Sequence, residues 1–197
     1  RRIGDLEAGS ADSLKTRWGQ QLEGRFDDWH GDIVVLPDGK ILIGGSFTTL
    51  QDAAGTHARV GIARLNANGS VDVGFVPPVI QPNASGVSVL RIVRLASGDL
   101  IVAGNFLDLG ASGRGRIARL KGSNGALDTG FAAVAFSEPD QGIWTLAEQA
   151  DGDIVIGGGF TRVNGAERIH LARLKRNGAL DAAFTAGVGT VAGGGSP

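Results

Sequence analysis

Short apolar runs, each cut by a turn pair, set the rhythm of this chain. Ile33-Val34-Val35 and Ile41-Leu42-Ile43 flank Asp38-Gly39, while Ile62-Ala63-Arg64-Leu65 and Val71-Asp72-Val73 flank Asn68-Gly69. Asp-Gly and Asn-Gly between β-branched runs are the strongest short-range hairpin signals, because such turns need a positive φ that Gly and Asn tolerate. Residues 33–75 therefore predict four short strands in two hairpins. The runs Ile41-Leu42-Ile43, Leu100-Ile101-Val102 and Ile154-Val155-Ile156 are continuous rather than alternating. Continuity implies that both faces of the strand are buried.

The same unit recurs. Phe47, Phe106 and Phe160 close its first hairpin, and Asp72, Asp128 and Asp181 sit in its second, at spacings of about 53–59 residues. Repeat 1 is expected at 29–87, repeat 2 at 88–141 and repeat 3 at 142–184. Residues 1–28 read as a partial repeat tail followed by an irregular segment. In that tail Ile3, Leu6, Gly9, Ser10 and Asp12 align with Ile62, Leu65, Gly69, Ser70 and Asp72 after one deletion. Residues 185–197 end in Gly193-Gly194-Gly195-Ser196-Pro197 and are expected to be a flexible tail. The predicted class is all-β: a propeller-like array of four-stranded antiparallel blades, with about three full repeats plus a partial N-terminal one. Propellers typically have about 4–8 blades, so three units do not readily close a ring. The chain is therefore expected to self-associate or to be part of a longer chain. Residues 3–12 are candidates to supply strands to another copy or to the last unit.

Composition narrows the function. Nineteen Lys and Arg offset 20 Asp and Glu, so there is no electrostatic case for nucleic acid or an anionic membrane. No apolar run is long enough to span a bilayer, so membrane insertion is not expected, and no signal peptide is visible. The 33 glycines, roughly double the usual share, fall at turns and strand ends rather than in low-complexity tracts. With no Cys, disulfides and Cys-ligated zinc are excluded. With no Met, the chain is expected to be a processed product, a fragment or part of something longer.

Each repeated side chain has a framework reading. Gly44-Gly45, Gly104 and Gly157-Gly158-Gly159 follow strands and precede no helix, so they read as close packing at strand ends rather than phosphate loops. Phe47, Phe106 and Phe160, with Phe75, Phe131 and Phe184, read as core between units. If Leu65 faces Val71, Arg64 stands opposite Asp72, and Arg173 stands opposite Asp181 by the same rule. Opposite charges so placed contribute roughly 0.2–1 kcal/mol each. Unit two has one extra residue between Arg119 and Asp128, which predicts a slip or bulge there. Arg114, Arg116 and Arg119 read as a solvated basic face. His30, His57 and His170 share no metal-ligand spacing, and Asp151-Gly152-Asp153 lacks the rest of a calcium loop. No metal, cofactor or catalytic residue is therefore assigned. Trp144 lies in a strand and is expected in the core. Trp18 and Trp29 flank the irregular segment and are the candidates for ligand contact, by stacking on a sugar ring.

The stretch Pro37-Asp38-Gly39-Lys40-Ile41-Leu42-Ile43-Gly44-Gly45-Ser46-Phe47, followed by Ile62-Ala63-Arg64-Leu65-Asn66-Ala67-Asn68-Gly69-Ser70-Val71-Asp72, resembles the delta-60 repeat family. These are β-propeller-like repeats of bacterial surface and secreted proteins. The resemblance covers about residues 29–184 and, less fully, 1–14. Unit two departs from it, with Ser97-Gly98-Asp99 for Asp-Gly-Lys and Ala103 for the first Gly. The resemblance implies a propeller fold and a location that is extracellular or at the cell surface, and the absence of Cys is compatible with a virion surface as well. It brings no catalytic site that maps onto these residues.

The expected function is a non-enzymatic extracellular binding or adhesion module. Its protein or glycan partner is expected on the loops at 49–60, 77–86 and 132–141, which differ between units. The alternative is a structural subunit of a surface appendage, a filament, or a phage tail or capsid fibre. A carbohydrate hydrolase or lyase would need two converging carboxylates, and none stands outside the repeated framework.

Overall fold

A computed structural model describes residues 31–82, 86–137 and 142–185. The partial repeat and irregular segment at 1–28, Trp18 and Trp29 within reach of it, and the expected flexible tail beyond 185 lie outside the described residues.

The described chain is all-β, without a helix. Unit 1 builds a sheet from β1 (Asp32–Val35), β2 (Ile41–Gly44) and β5 (Ile62–Leu65), in that order. Unit 2 uses β7 (Ser88–Arg94), β8 (Leu100–Asn105) and β10 (Ile117–Leu120), and unit 3 uses β11 (Ile143–Glu148), β12 (Ile154–Gly158) and β15 (Leu171–Leu174). All pairings are antiparallel. Each sheet has three full strands. The fourth segment touches its neighbour through one bridge, Leu65 to Val71, Leu120 to Leu127 and Leu174 to Leu180.

The turn residues explain the hairpins. Gly39, Gly98 and Gly152 all lie at φ between 81° and 89°, a region closed to most side chains. The preceding Asp or Asn hydrogen-bonds its own backbone: Asp38 Oδ1 accepts from Lys40 N at 3.1 Å, and Asn177 Oδ1 accepts from Ala179 N at 3.1 Å. Such local acceptors are why Asp and Asn favour these positions. The Leu65–Val71 and Leu174–Leu180 bridges set Arg64 opposite Asp72 and Arg173 opposite Asp181. Unit two neither slips nor bulges there. Leu120 pairs with Leu127, so Arg119 still faces Asp128, and the extra residue is absorbed by the longer turn. A loop residue is cheaper than a disrupted ladder. Bulges occur instead in the first strands, between Val89 and Arg91 and between Ile143 and Thr145.

The core lies between sheets. Leu42, Ile62 and Phe75 of unit 1 pack with Val89, Ile92 and Val102 of unit 2. Ile101, Ile117 and Phe131 of unit 2 pack with Leu146, Ile156 and Phe160 of unit 3. β8 is thus covered on both sides, as its unbroken apolar run predicts. Gly44 permits this closeness, since a Cβ there would lie 2.9 Å from Val89 Cγ1 and 3.0 Å from Val89 O of unit 2. First strands lie beside first strands, β1 against β7 and β7 against β11.

Segments between units tie neighbours together. β6 (Ile80–Gln81) pairs with β9 (Asp108–Leu109), an insert of the next unit. Phe136 likewise bridges to Val163 in β13 (Arg162–Val163), which pairs with β14 (Ala166–Glu167). The insert of unit 1 is the hairpin of β3 (Thr49–Asp52) and β4 (Gly55–Ala58).

Candidate functional site

The most concentrated chemistry is a charge cluster repeated in each unit. Asp72 accepts from Lys40 Nζ at 2.7 Å and from Arg64 Nε at 2.8 Å. The rest of the Arg64 guanidinium donates to the carbonyls of Gly122 and Ser123 in unit 2, and its plane lies 4.6 Å from the centre of the Phe75 ring. Arg119 repeats the arrangement: it pairs with Asp128, donates to Arg176 O of unit 3 at 2.7 Å, and lies 5.4 Å from Phe131. Arg173 pairs with Asp181 at 2.6 Å and lies 4.8 Å from Phe184. The facing charges read from the hairpins are therefore corners of a larger joint, in which two of the three arginines latch one unit to the next.

A lysine completes each cluster, and the hairpin reading missed it. Lys121 lies 3.2 Å from Asp128, and Lys175 lies 3.0 Å from Asp181 and 2.9 Å from Asp153. In unit 1 the lysine comes from the turn just before β2, as Lys40, and Asn66 occupies the equivalent of Lys121. The signal was the pairing of second with third strands, which sets 99 opposite 121 and 153 opposite 175.

These contacts fix the ionisation. Lys175, then Arg173, hold Asp181 down to about 2 from its ordinary 3.8. At Asp72 burial pushes upward, but hydrogen bonds from Lys40 and Arg64 outweigh it and the carboxyl stays below the usual range. Burial also opposes ionisation at Asp128, where the Gly130 N–H, Lys121 and Arg119 prevail. On the β3–β4 hairpin the Val71 N–H and then His57 hold Asp52 to about 2. A carboxyl depressed in the folded state stabilises above its unfolded value, and that contribution fades as pH falls through the folded one. The urea midpoint of the chain should therefore be flat from neutrality down to about pH 4 and drop between about pH 4 and 2. Asp181→Asn should lower the plateau and make the acid limb shallower. An unchanged acid limb would mean that these clusters are not where protons couple to folding.

The other candidates divide. His57 Nε2 bonds Asp52 Oδ1 at 2.9 Å, and His170 Nδ1 bonds Gly158 O at 3.0 Å, so each serves its own loop. Trp144 is not core: it sits in the β11 bulge, which swings its side chain outward to 52% exposure. The Arg114–Arg116–Arg119 group is not a solvated face either. Arg116 is buried over the Phe136 ring, and Arg114 donates to Phe131 O and Thr129 O. Arg116 and His170 share φ near +60° with Gly61, at the entry to the third strand, a conformation that few side chains adopt. Nothing in the pattern of apolar residues signals that strained position.

An open cleft of about 450 Å³ lies over the seam of units 1 and 2. Leu36, Pro37, Asp38, Lys40 and Arg64 form one wall, and Arg94, Gly98, Leu100, Gly122 and Ser123 form the other.

Stacked antiparallel sheets, joined by recurring seams and built on one repeated sequence, define a propeller-type repeat protein. The chain belongs to the beta-propeller family described as a domain of unknown function (DUF5122), whose profile matches residues 36–75, 95–131 and 149–184. No curated protein and no solved structure matches the chain.

Proposed function

We propose that the chain is a non-enzymatic binding or adhesion module of a bacterial or virion exterior, of the delta-60 kind, with its units acting as blades whose fourth strands complete on assembly. The observation that carries this reading is the contrast between framework and inserts. Strand pairing and seam clusters recur, and the inserts and connecting segments keep their pairing, whereas the residues at 49–60, 77–86 and 132–141 differ between units. A rigid repeated scaffold holding dissimilar loops is how recognition surfaces are commonly built. The insert of unit 1 is a hairpin held by Asp52, which bonds His57 and Val71 N. The exposed Trp144 adds an aromatic face of the type that stacks on sugars. The clustered carboxylates, paired with cations and ionised, suit structural clamps better than a general acid.

The test is a glycan and protein array probed with the chain, followed by variants. A binder is expected whose affinity falls at least tenfold when the exposed residues Ala53, Ala54 and Thr56 of the unit 1 insert are replaced by Glu, or on Trp144→Ala, with the melting temperature held. An array without a binder, or a binder indifferent to both changes, would overturn the reading. The half-buried apolar residues Val155, Leu171 and Phe184 on the outer face of unit 3 favour the second reading, a structural subunit of a surface appendage, filament or fibre. A filament or particle in which this chain recurs would distinguish it.

A further inference from the structure

We infer that the cleft over the seam of units 1 and 2 binds an acidic sugar, with Arg94 receiving the carboxylate of a uronate unit. The two seams share a plan and differ at three places. Arg94 of unit 2 and Glu148 of unit 3 end their first strands at the same position, opposite Leu100 and Ile154. At the second seam Glu148 closes the gap, where its Oε2 accepts from Ala96 N of unit 2 at 2.9 Å. At the first seam the equivalent of Ala96 is Pro37, which has no N–H to give. Arg94 shares the cleft with Pro37 and carries the opposite charge to Glu148, so that latch cannot form. Gly122 and Arg176 make the third difference. They are equivalent, since each N–H donates to an aspartate of its own unit and each carbonyl receives the arginine of the preceding unit. The Arg176 side chain lies over the Gly152 turn, with Nε 3.6 Å from where a Cβ of Gly152 would be. Gly122 has no side chain, so the matching Gly98 turn stays open to the cleft, with Arg94 Nη2 3.7 Å from the corresponding point.

These changes leave a concave site with a free cation. Among the described residues Arg94 has no ion pair or hydrogen bond, and it is exposed. Lys40 and Arg64 on the opposite wall are held by Asp72. With Asp38 counted as well, three cations stand against two carboxylates, so the cleft keeps one positive charge. Asp99, behind Gly122, is matched by Lys121. A planar guanidinium takes a carboxylate through two parallel N–H bonds. Beside Arg94 the cleft offers partners for hydroxyls: Asp38 Oδ2 and Ser123 Oγ make no hydrogen bond among the described residues, and Leu36 and Pro37 add apolar surface. A sugar acid presents the matching set of one carboxylate, several hydroxyls and an apolar C–H face. The rim is formed by the turns at 36–40, 95–99 and 121–126 rather than by a free strand edge, so a peptide finds no ladder to extend. The volume of about 450 Å³ lies in the range of small-ligand sites. This inference rests on the chain being a binding module, but it uses neither the inserts nor Trp144.

The experiment is isothermal titration calorimetry of the whole chain with tri-galacturonate, with the neutral tri-galactoside and with tri-glutamate. Tri-galacturonate should bind, and the neutral trisaccharide should bind at least tenfold more weakly. Arg94→Gln should weaken tri-galacturonate at least tenfold, as loss of a charge-assisted pair does. Its melting temperature should hold, because Arg94 is exposed and unpartnered among the described residues. Arg94→Glu replaces it if circular dichroism shows Arg94→Gln to be unfolded. Trp144→Ala should leave the affinity unchanged. Absence of heat with tri-galacturonate overturns the inference, as does wild-type affinity in Arg94→Gln or equal affinity for the neutral trisaccharide. Tri-glutamate binding as tightly also overturns it, and would make the cleft an acidic-peptide site. A sugar whose affinity falls with Trp144→Ala and not with Arg94→Gln would overturn it while leaving the binding-module reading in place.

Discussion

Phe131→Ala should lower the unfolding free energy by about 3–5 kcal/mol, the range for truncating a buried aromatic. The ring is fully buried in the cluster between units 2 and 3. It is covered by the Arg119 guanidinium at 5.4 Å on one side and by the backbone of Gly178 on the other. Ala132 N donates to Asn177 O at 2.7 Å, which holds that turn in place and keeps it from moving inward to fill the space. The cavity therefore stays open, which puts the cost in the upper part of the range. Phe184→Ala, at the equivalent but half-buried place on unit 3, should cost much less. Urea denaturation of both variants measures the difference. A loss below about 1 kcal/mol at Phe131 would mean that the seam is not a principal source of stability.

Local chemistry was the most legible part of the chain. Asp38-Gly39, Asn68-Gly69 and Asn177-Gly178 announce their turns, because a positive φ and a nearby acceptor are demands met within three residues. The register of Arg64 with Asp72 followed from the same turns. What connects one unit to the next was hidden. The Arg64 donation to Gly122 O spans 58 residues, and its acceptor is a backbone carbonyl, which leaves no mark on sequence. The outward position of Trp144 depends on a bulge, and one extra residue in a first strand looks the same as ordinary alternation. Unit two misled for a related reason: an added residue can enter a turn or a ladder, and only the energetics of the finished pair decide. The lysines were legible in principle, yet needed the pairing of strands separated by an insert.

Arg64→Leu is expected to cost about 3–5 kcal/mol, as removal of one member of a buried ion pair does. Three losses coincide. Asp72, 11% exposed, is left among the described residues with Lys40 as its side-chain cation. The Gly122 and Ser123 carbonyls lose their donors in a part-buried seam. Phe75, fully buried beneath the guanidinium, loses its cation. Arg173→Leu removes the same side chain where its described hydrogen bonds stay within its own unit, so its cost should be a small fraction of that. The comparison separates the latch from the clamp: an Arg64–Asp72 double-mutant cycle reports the pair, and the remainder of the Arg64 loss reports the donation across the seam. Equal costs at Arg64 and Arg173 would show that the guanidinium acts only within its own unit, and that apolar packing alone holds neighbouring units together.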